Sequence, residues 1–455
     1  MEEADPSQLL FHLESILDSD PLINEVGFIH PSQFLALAEE ASTLVSASLE
    51  TVAQPEDERV NKKLLEGNTP DMVFWNRDHK LGISTEFLLP LYKAAKYAFM
   101  AAVGQYNNAK LSGFHEESGD ASVSGRSSSF QNFCAIDVMK HSRALLLLSS
   151  DFGTAWNYRK EIFLSSTWKH SLKLMVSKEP HVANLMDELG FSKLVLSYSP
   201  KSECAWSHRR WVIKMISGKC LNLQEIVGKE SDLVKLIAEK SKMNYRAWNH
   251  RCWLVSYMSS GQVIYEIISS RDWAGLNVAD NSCFHYRSRL MLRMFKGSQT
   301  KQGPKTISSH DAEYFKIYKE ELDWNEMLIK RYTGREALWL YRRFLALYWI
   351  NQFVADVADA LPHSNLTPIS TSEIKTFLDN ELQLFYSCQV FSINDFDDYR
   401  AQATFSSTYM LWITRHFSKY PGIEPILELR PRDLREVLEK NCPERSCLWN
   451  SFRTP

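Results

Sequence analysis

The chain has 455 residues, is 44% hydrophobic and 12% aromatic, and carries a formal net charge of −3. That is apolar material for a large core. It supplies no net positive field of the kind that holds proteins on nucleic-acid backbones, so RNA or DNA binding is a poor expectation.

Residues 1–110 read as an N-terminal helical region. Ser7 to Leu17 and Pro31 to Leu49 place apolar residues at helical spacing. Between them and the next helix, Gln54 to Asn61 is polar and contains a proline, so a loop is expected. Thr85 to Tyr106 predicts a strong helix with Phe87, Leu88, Leu91, Tyr92, Ala95, Phe99 and Val103 on one side. Residues 111–129 are rich in Ser, Gly and acidic side chains, too polar to order themselves by burial, and are expected to be disordered. Phe130 to Leu148 predicts a helix that leads into a repeated segment, 130–353. Gly297 to Asp311 reads as a flexible insertion within it and Pro362 to Ser372 as a loop after it. Residues 354–455 are expected to form a C-terminal helical cap. No convincing strand set and no glycine-rich phosphate loop stands out.

Within 130–353 one short pattern recurs: an aromatic residue, any residue, Tyr or His, then Arg. The copies are Trp156-Asn157-Tyr158-Arg159, Trp206-Ser207-His208-Arg209, Trp248-Asn249-His250-Arg251, Phe284-His285-Tyr286-Arg287 and Trp339-Leu340-Tyr341-Arg342. Trp412-Ile413-Thr414-Arg415 reads as a degraded sixth. The starts are separated by 206−156 = 50, 248−206 = 42, 284−248 = 36 and 339−284 = 55 residues. Each gap suits two helices and their turns, and the variation places insertions between units. The predicted fold is all-α: an α-α superhelix, a right-handed solenoid of antiparallel helix hairpins. Residues three apart share a helix face. The aromatic residue of each copy is therefore expected to fill the space between hairpins. The Arg is expected to lie on aromatic faces or reach carbonyls of the next helix. These are packing roles, and His208 and His250 are expected to be hydrogen-bonded core histidines.

The eight cysteines, Cys134, Cys204, Cys220, Cys252, Cys283, Cys388, Cys442 and Cys447, include no CxxC pair and no companion His cluster, so reduced thiols and no metal site are expected. The acidic, polar N-terminus does not read as a secretory signal. No apolar run approaches the roughly 20 residues that cross a bilayer, and Arg453-Thr454-Pro455 is no prenylation box. A cytoplasmic location is the expectation.

The segments Pro200-Lys201-Ser202-Glu203-Cys204-Ala205-Trp206-Ser207-His208-Arg209-Arg210-Trp211 and Asn244-Tyr245-Arg246-Ala247-Trp248-Asn249-His250-Arg251 resemble the repeats of protein prenyltransferase alpha subunits, which read roughly Pro-x-Asn-Tyr-x-x-Trp-x-His-Arg. Asp78-His79-Lys80-Leu81-Gly82-Ile83 and Asp280-Asn281-Ser282-Cys283-Phe284-His285-Tyr286-Arg287 look like one branch of that family, its repeat-containing proteins. The resemblance implies a crescent around a beta subunit, of the Rab geranylgeranyltransferase type, that holds the zinc and the isoprenoid pocket. It implies a prenyl diphosphate at the subunit interface and protein substrates with C-terminal cysteines. No cofactor is expected in this chain itself. By offset from the repeat tryptophans, it places Lys201, Tyr245 and Arg246 on the diphosphate side as catalytic candidates. Where the family has a Tyr in the second repeat this chain has Glu203. The competing expectation is a non-catalytic helical-repeat scaffold for other proteins.

Overall fold

A computed structural model describes residues 5–34, 73–115, 121–165, 180–218, 222–299, 309–353, 368–389 and 397–417, and a few isolated positions beyond. The helices are α1 (Pro6–Ser19), α2 (Leu88–His115), α3 (Ala121–Leu148), α4 (Gly153–Leu164), α5 (Pro180–Tyr198), α6 (Glu203–Ser217), α7 (Leu223–Lys240), α8 (Tyr245–Leu254), α9 (Ser260–Ser269), the short α10 (Arg271–Leu276), α11 (Asn281–Gln299), α12 (Ser309–Arg331), α13 (Glu336–Phe353), α14 (Pro368–Ser387) and α15 (Asp397–Phe417). The repeats are all-α, as the periodicity predicts. They fall into two compact units, residues 1–226 with 236–250, and residues 227–235 with 251–455.

In the first unit α1 packs on α2 and α3, burying Leu9, Leu10, Leu13 and Leu17 at helical spacing. Leu91, Ala95, Phe99 and Val103 of α2 are buried as their spacing predicts. Three short strands, β1 (Glu25–Ile29), β2 (Phe74–Arg77) and β3 (Lys80–Ser84), form a sheet in the order β1-β3-β2. This corrects the expectation that no strand set exists. β1 runs parallel to β3, with Val26 opposite Leu81, and β2 runs antiparallel to it, with Trp75 opposite Gly82. The β2–β3 turn is Asp78-His79, both at positive φ (51° and 60°), the tight hairpin geometry that matches strand twist. The His79 ring holds Asp20 at 2.9 Å, tying the turn to the end of α1. At Gly82 the strands approach closely: a Cβ there would stand 2.3 Å from Ile29 Cδ1, so the tip of Ile29 would have to move aside. The sheet meets α5, where Phe28 lies edge-on to Tyr198 at 5.5 Å. Strands of four or five residues, one of them paired across a long stretch of chain, leave too little alternation to be read from sequence.

The sequence segment 111–129, expected to be disordered, contains the end of α2 at His115 and the start of α3 at Ala121. Helix extension adds one hydrogen bond per residue, so the packed half of α3 carries its polar half. Helices α12 and α14 likewise begin inside the stretches expected to be loops, at Ser309 and Pro368. Most of the helix expected at 31–49, and the loop at 54–61, lie outside the described residues.

Candidate functional site

Each repeat is a hairpin whose second helix carries the motif, and one interval recurs inside it. Glu188 of α5 pairs with His208 of α6 at 2.8 Å, Glu266 of α9 with Tyr286 of α11 at 2.8 Å, and Glu321 of α12 with Tyr341 of α13 at 2.7 Å, each pair twenty residues apart. The motif Arg binds backward at the same interval. Arg159, Arg209, Arg287 and Arg342 donate to the carbonyls of Met139, Leu189, Ile267 and Leu322, each twenty residues earlier. Three of them also donate to a Ser hydroxyl seventeen residues earlier, on Ser142, Ser192 and Ser270. These carbonyls lie on the preceding helix, not on the following one as expected.

What the arginines give forward is a carboxylate clamp. Arg159 pairs with Glu188, Arg251 with Glu266 at 2.9 Å, Arg287 with Glu321 at 2.6 Å and Arg342 with Glu381 at 2.6 Å, all buried. Every such Glu thus holds the Arg of one hairpin and the Tyr or His of the next, and Tyr409 completes Glu381 at 2.8 Å. The aromatic members interleave in the same order: Trp156 on His208 at 4.6 Å, Trp206 on His250 at 4.8 Å, Phe284 on Tyr341 at 5.4 Å and Trp339 on Tyr409 at 5.6 Å. The guanidiniums also lie on rings, Arg159 on Phe191 at 4.8 Å, Arg251 on Tyr286 at 4.4 Å and Arg287 on Trp324 at 4.7 Å. Burial alone would raise the Glu188 carboxyl, but Arg159 and His208 outweigh it and bring it down to about 2. Burial lowers His208, so it stays neutral. These motif residues are buried and engaged in ion pairs and ring contacts.

Tyr409 corrects the sixth unit. Its contacts place it in the Tyr position, so the copy reads Ser407-Thr408-Tyr409-Met410, and Trp412 falls five after its start, in the phase of Trp211 and Trp253. The array ends on apolar residues. Met410 stands where the other units have Arg, and Val138, twenty before Tyr158, stands where they have Glu. Tyr158 instead accepts a hydrogen bond from Asn107 of α2 at 2.9 Å. The Glu partners were missed from sequence, although Glu188, Glu230, Glu266 and Glu321 each stand twenty before a motif Tyr or His.

The candidates with chemistry lie in the first unit, at the starting ends of α6 and α8. Ser202 caps α6 and Asn244 caps α8, each side chain accepting the N–H three residues on at 3.1 Å. Asn244 also donates to the Pro200 carbonyl at 2.7 Å, as Trp206 does at 2.9 Å. That bond sets the turn bearing Lys201 beside the start of α8, which bears Tyr245 and Arg246. Lys201 is exposed and Tyr245 is 71% exposed. Arg246 is engaged: its Nε donates to Glu203 Oε2 at 3.0 Å, and Arg210 Nη2 donates to Glu203 Oε1 at 3.1 Å. Lys160 of α4 approaches the same place; burial and the like charge of Arg210 lower its pKa. The Cys204 thiol is pushed up by burial and by Asp151, so it is no ready nucleophile. Among the described residues no group of three or more His, Cys, Asp or Glu could hold a metal ion, and no helix is long and apolar enough to cross a membrane. The edge can bind an anion, with Lys and Arg donors around one carboxylate.

The model of the protein prenyltransferase alpha subunit repeat matches residues 185–216 and 228–258. Those segments hold most of α5–α6 and of α7–α8, with Trp206, Arg209, Trp248 and Arg251. Protein prenyltransferase alpha subunit repeat-containing protein 1 of Danio rerio is 31% identical over 241 residues, 45% of this chain and 53% of that one. Its Homo sapiens counterpart is 30% identical over 243 residues, 44% and 56% of the two chains. Geranylgeranyl transferase type-2 subunit alpha of Sus scrofa is 24% identical over 208 residues, 46% of this chain and 33% of that one. The chain matches about half the length of the repeat-containing relatives.

Proposed function

We propose that this chain is the alpha-type subunit of a heterodimeric protein prenyltransferase that transfers a geranylgeranyl group to C-terminal cysteines of cytosolic proteins. Its partner would be a beta subunit of the Rab geranylgeranyltransferase type, carrying the zinc and the isoprenoid pocket. The observation that carries the reading is the cationic edge of the second and third repeats, set inside the segments that match the alpha subunit repeat. The similarity to a geranylgeranyl transferase alpha subunit supports the group transferred.

In such a reaction the substrate cysteine sulfur forms a bond to C1 of the prenyl diphosphate as the C1–O bond breaks and diphosphate leaves. Zinc in the partner supplies a lowered thiol pKa. This chain's part is to meet charge on the leaving group. Lys201 brings an ammonium without a carboxylate partner among the described residues, Tyr245 a hydroxyl and Arg246 a guanidinium. Donors aimed at developing charge typically contribute a factor of about 10²–10³ each.

Co-expression with prenyltransferase beta subunits, followed by transfer of labelled geranylgeranyl to cysteine-ended proteins, tests the reading. Transfer by one pairing is expected, and Lys201→Ala should lower its rate by about 10²-fold without loosening the pair. No transfer from any stably formed pair would establish the non-catalytic scaffold instead.

A further inference from the structure

Glu203 is the residue the family pattern does not explain, and its surroundings give it a role. It is 54% exposed on the side chain, yet each carboxylate oxygen holds a different arginine, Arg246 through Oε2 at 3.0 Å and Arg210 through Oε1 at 3.1 Å. The arginines come from different helices, α8 and α6. Lys201 lies on the turn that leads into α6, and the charge of Arg210 reaches Lys160 of α4; neither lysine has a carboxylate partner among the described residues. The other carboxylate nearby, Asp151, is occupied: its Oδ1 accepts from the Ser202 hydroxyl at 2.8 Å and the Cys204 N–H at 3.1 Å. Two arginines from different helices therefore share one half-exposed carboxylate, on an edge that also carries Lys201.

We propose that Glu203 is a resident counter-anion. It occupies the arginine pair when no substrate is present and is displaced by a diphosphate group, which takes Arg246 and Arg210 together. The proposal rests on the reading above for its substrate class and names a specificity-determining residue for that site. A carboxylate spans two guanidiniums with one charge; a diphosphate brings more charge and more acceptor oxygens, and its affinity is lowered by the cost of expelling Glu203. A monoanion brings no more charge than Glu203 itself and offers no such exchange, so the site discriminates by charge. Asp151 cannot substitute for Glu203, because its oxygen is fixed in the capping network of α6.

Calorimetric titration of inorganic diphosphate into the full chain tests this. Glu203→Gln keeps shape and removes the competing charge, and should bind diphosphate about three- to tenfold tighter than the native chain, the range expected for releasing two exposed ion pairs. Glu203→Tyr, which restores the family's residue type, should do the same. Arg246→Gln should bind about fivefold more weakly. Unchanged or weaker binding by both Glu203 variants, at unaltered melting temperature, overturns the proposal. So does phosphate or sulfate binding as tightly as diphosphate, which would make the edge a generic cation patch. The two readings fail separately. Tighter diphosphate binding without transfer by any pairing leaves the counter-anion role intact and removes the enzyme. In an active pair, a KM for prenyl diphosphate that does not fall in Glu203→Gln removes the role and leaves the enzyme.

Discussion

Arg342 and Glu381 are both fully buried, and Tyr409 donates to the same carboxylate. Arg342→Met leaves that charge without its cation and should cost about 3–5 kcal/mol, read as a lowered thermal midpoint. Arg342→Met with Glu381→Met should recover much of the loss, because the desolvated charges leave together. A double variant as unstable as the single one would contradict the clamp. Glu188 and His208 give a second residue-scale expectation. The fold holds Glu188 at about 2 against an ordinary 4.5, and His208 below its ordinary 6.5. In both ranges the unfolded chain binds more protons. Stability from the pair is therefore whole above pH 6.5, declines as pH falls below it, declines faster below 4.5 and is gone near 2. His208→Tyr, the residue type of the fourth and fifth repeats, should remove the decline between 6.5 and 4.5, measured as denaturation midpoints across pH.

At the scale of elements the hairpin is the conserved length and the connection is not. The interval from Glu to Tyr or His is twenty residues in three hairpins, whereas the interval from an Arg to its forward Glu runs 29, 15, 34 and 39. This explains what could be read from the chain beforehand. Helices α1, α2 and α3 were legible because apolar residues recur along one face. The repeat was legible because Trp and Arg are distinctive. The Glu partners were hidden by the habit of reading an isolated Glu as solvated, and the sheet by its brevity. The sixth unit was misread because Trp412-Ile413-Thr414-Arg415 mimics the motif out of phase. The anion edge was legible only through resemblance, and its Glu203 bridge only through geometry. Gly334 gives an element-scale expectation. It precedes α13 at φ 74°, and a Cβ would stand 2.7 Å from the Asp398 carbonyl oxygen of α15. Its N–H donates to Gln402 Oε1 at 2.9 Å. Gly334→Ala should cost about 1–3 kcal/mol through strain and that backbone clash, seen in thermal unfolding of the variant.

At the scale of the molecule, the described residues contain no donor set for a metal. With the zinc assigned to the partner as proposed above, dialysis of the purified chain against a chelator should leave its melting temperature unchanged, and the chain alone should transfer no prenyl group. Turnover by the isolated chain would place the chemistry here and overturn the division of labour proposed above. The two ends of the clamp series carry a different consequence. The hairpins of Glu266 with Arg287 and of Glu321 with Arg342 each owe a charge in both directions, so such a copy could be duplicated and its Arg would still meet a Glu. A hairpin added before Val138 or after Met410 would find an apolar side chain where its partner should be. Among the described residues the charge pattern thus favours duplication of an inner hairpin over accretion beside Val138 or Met410.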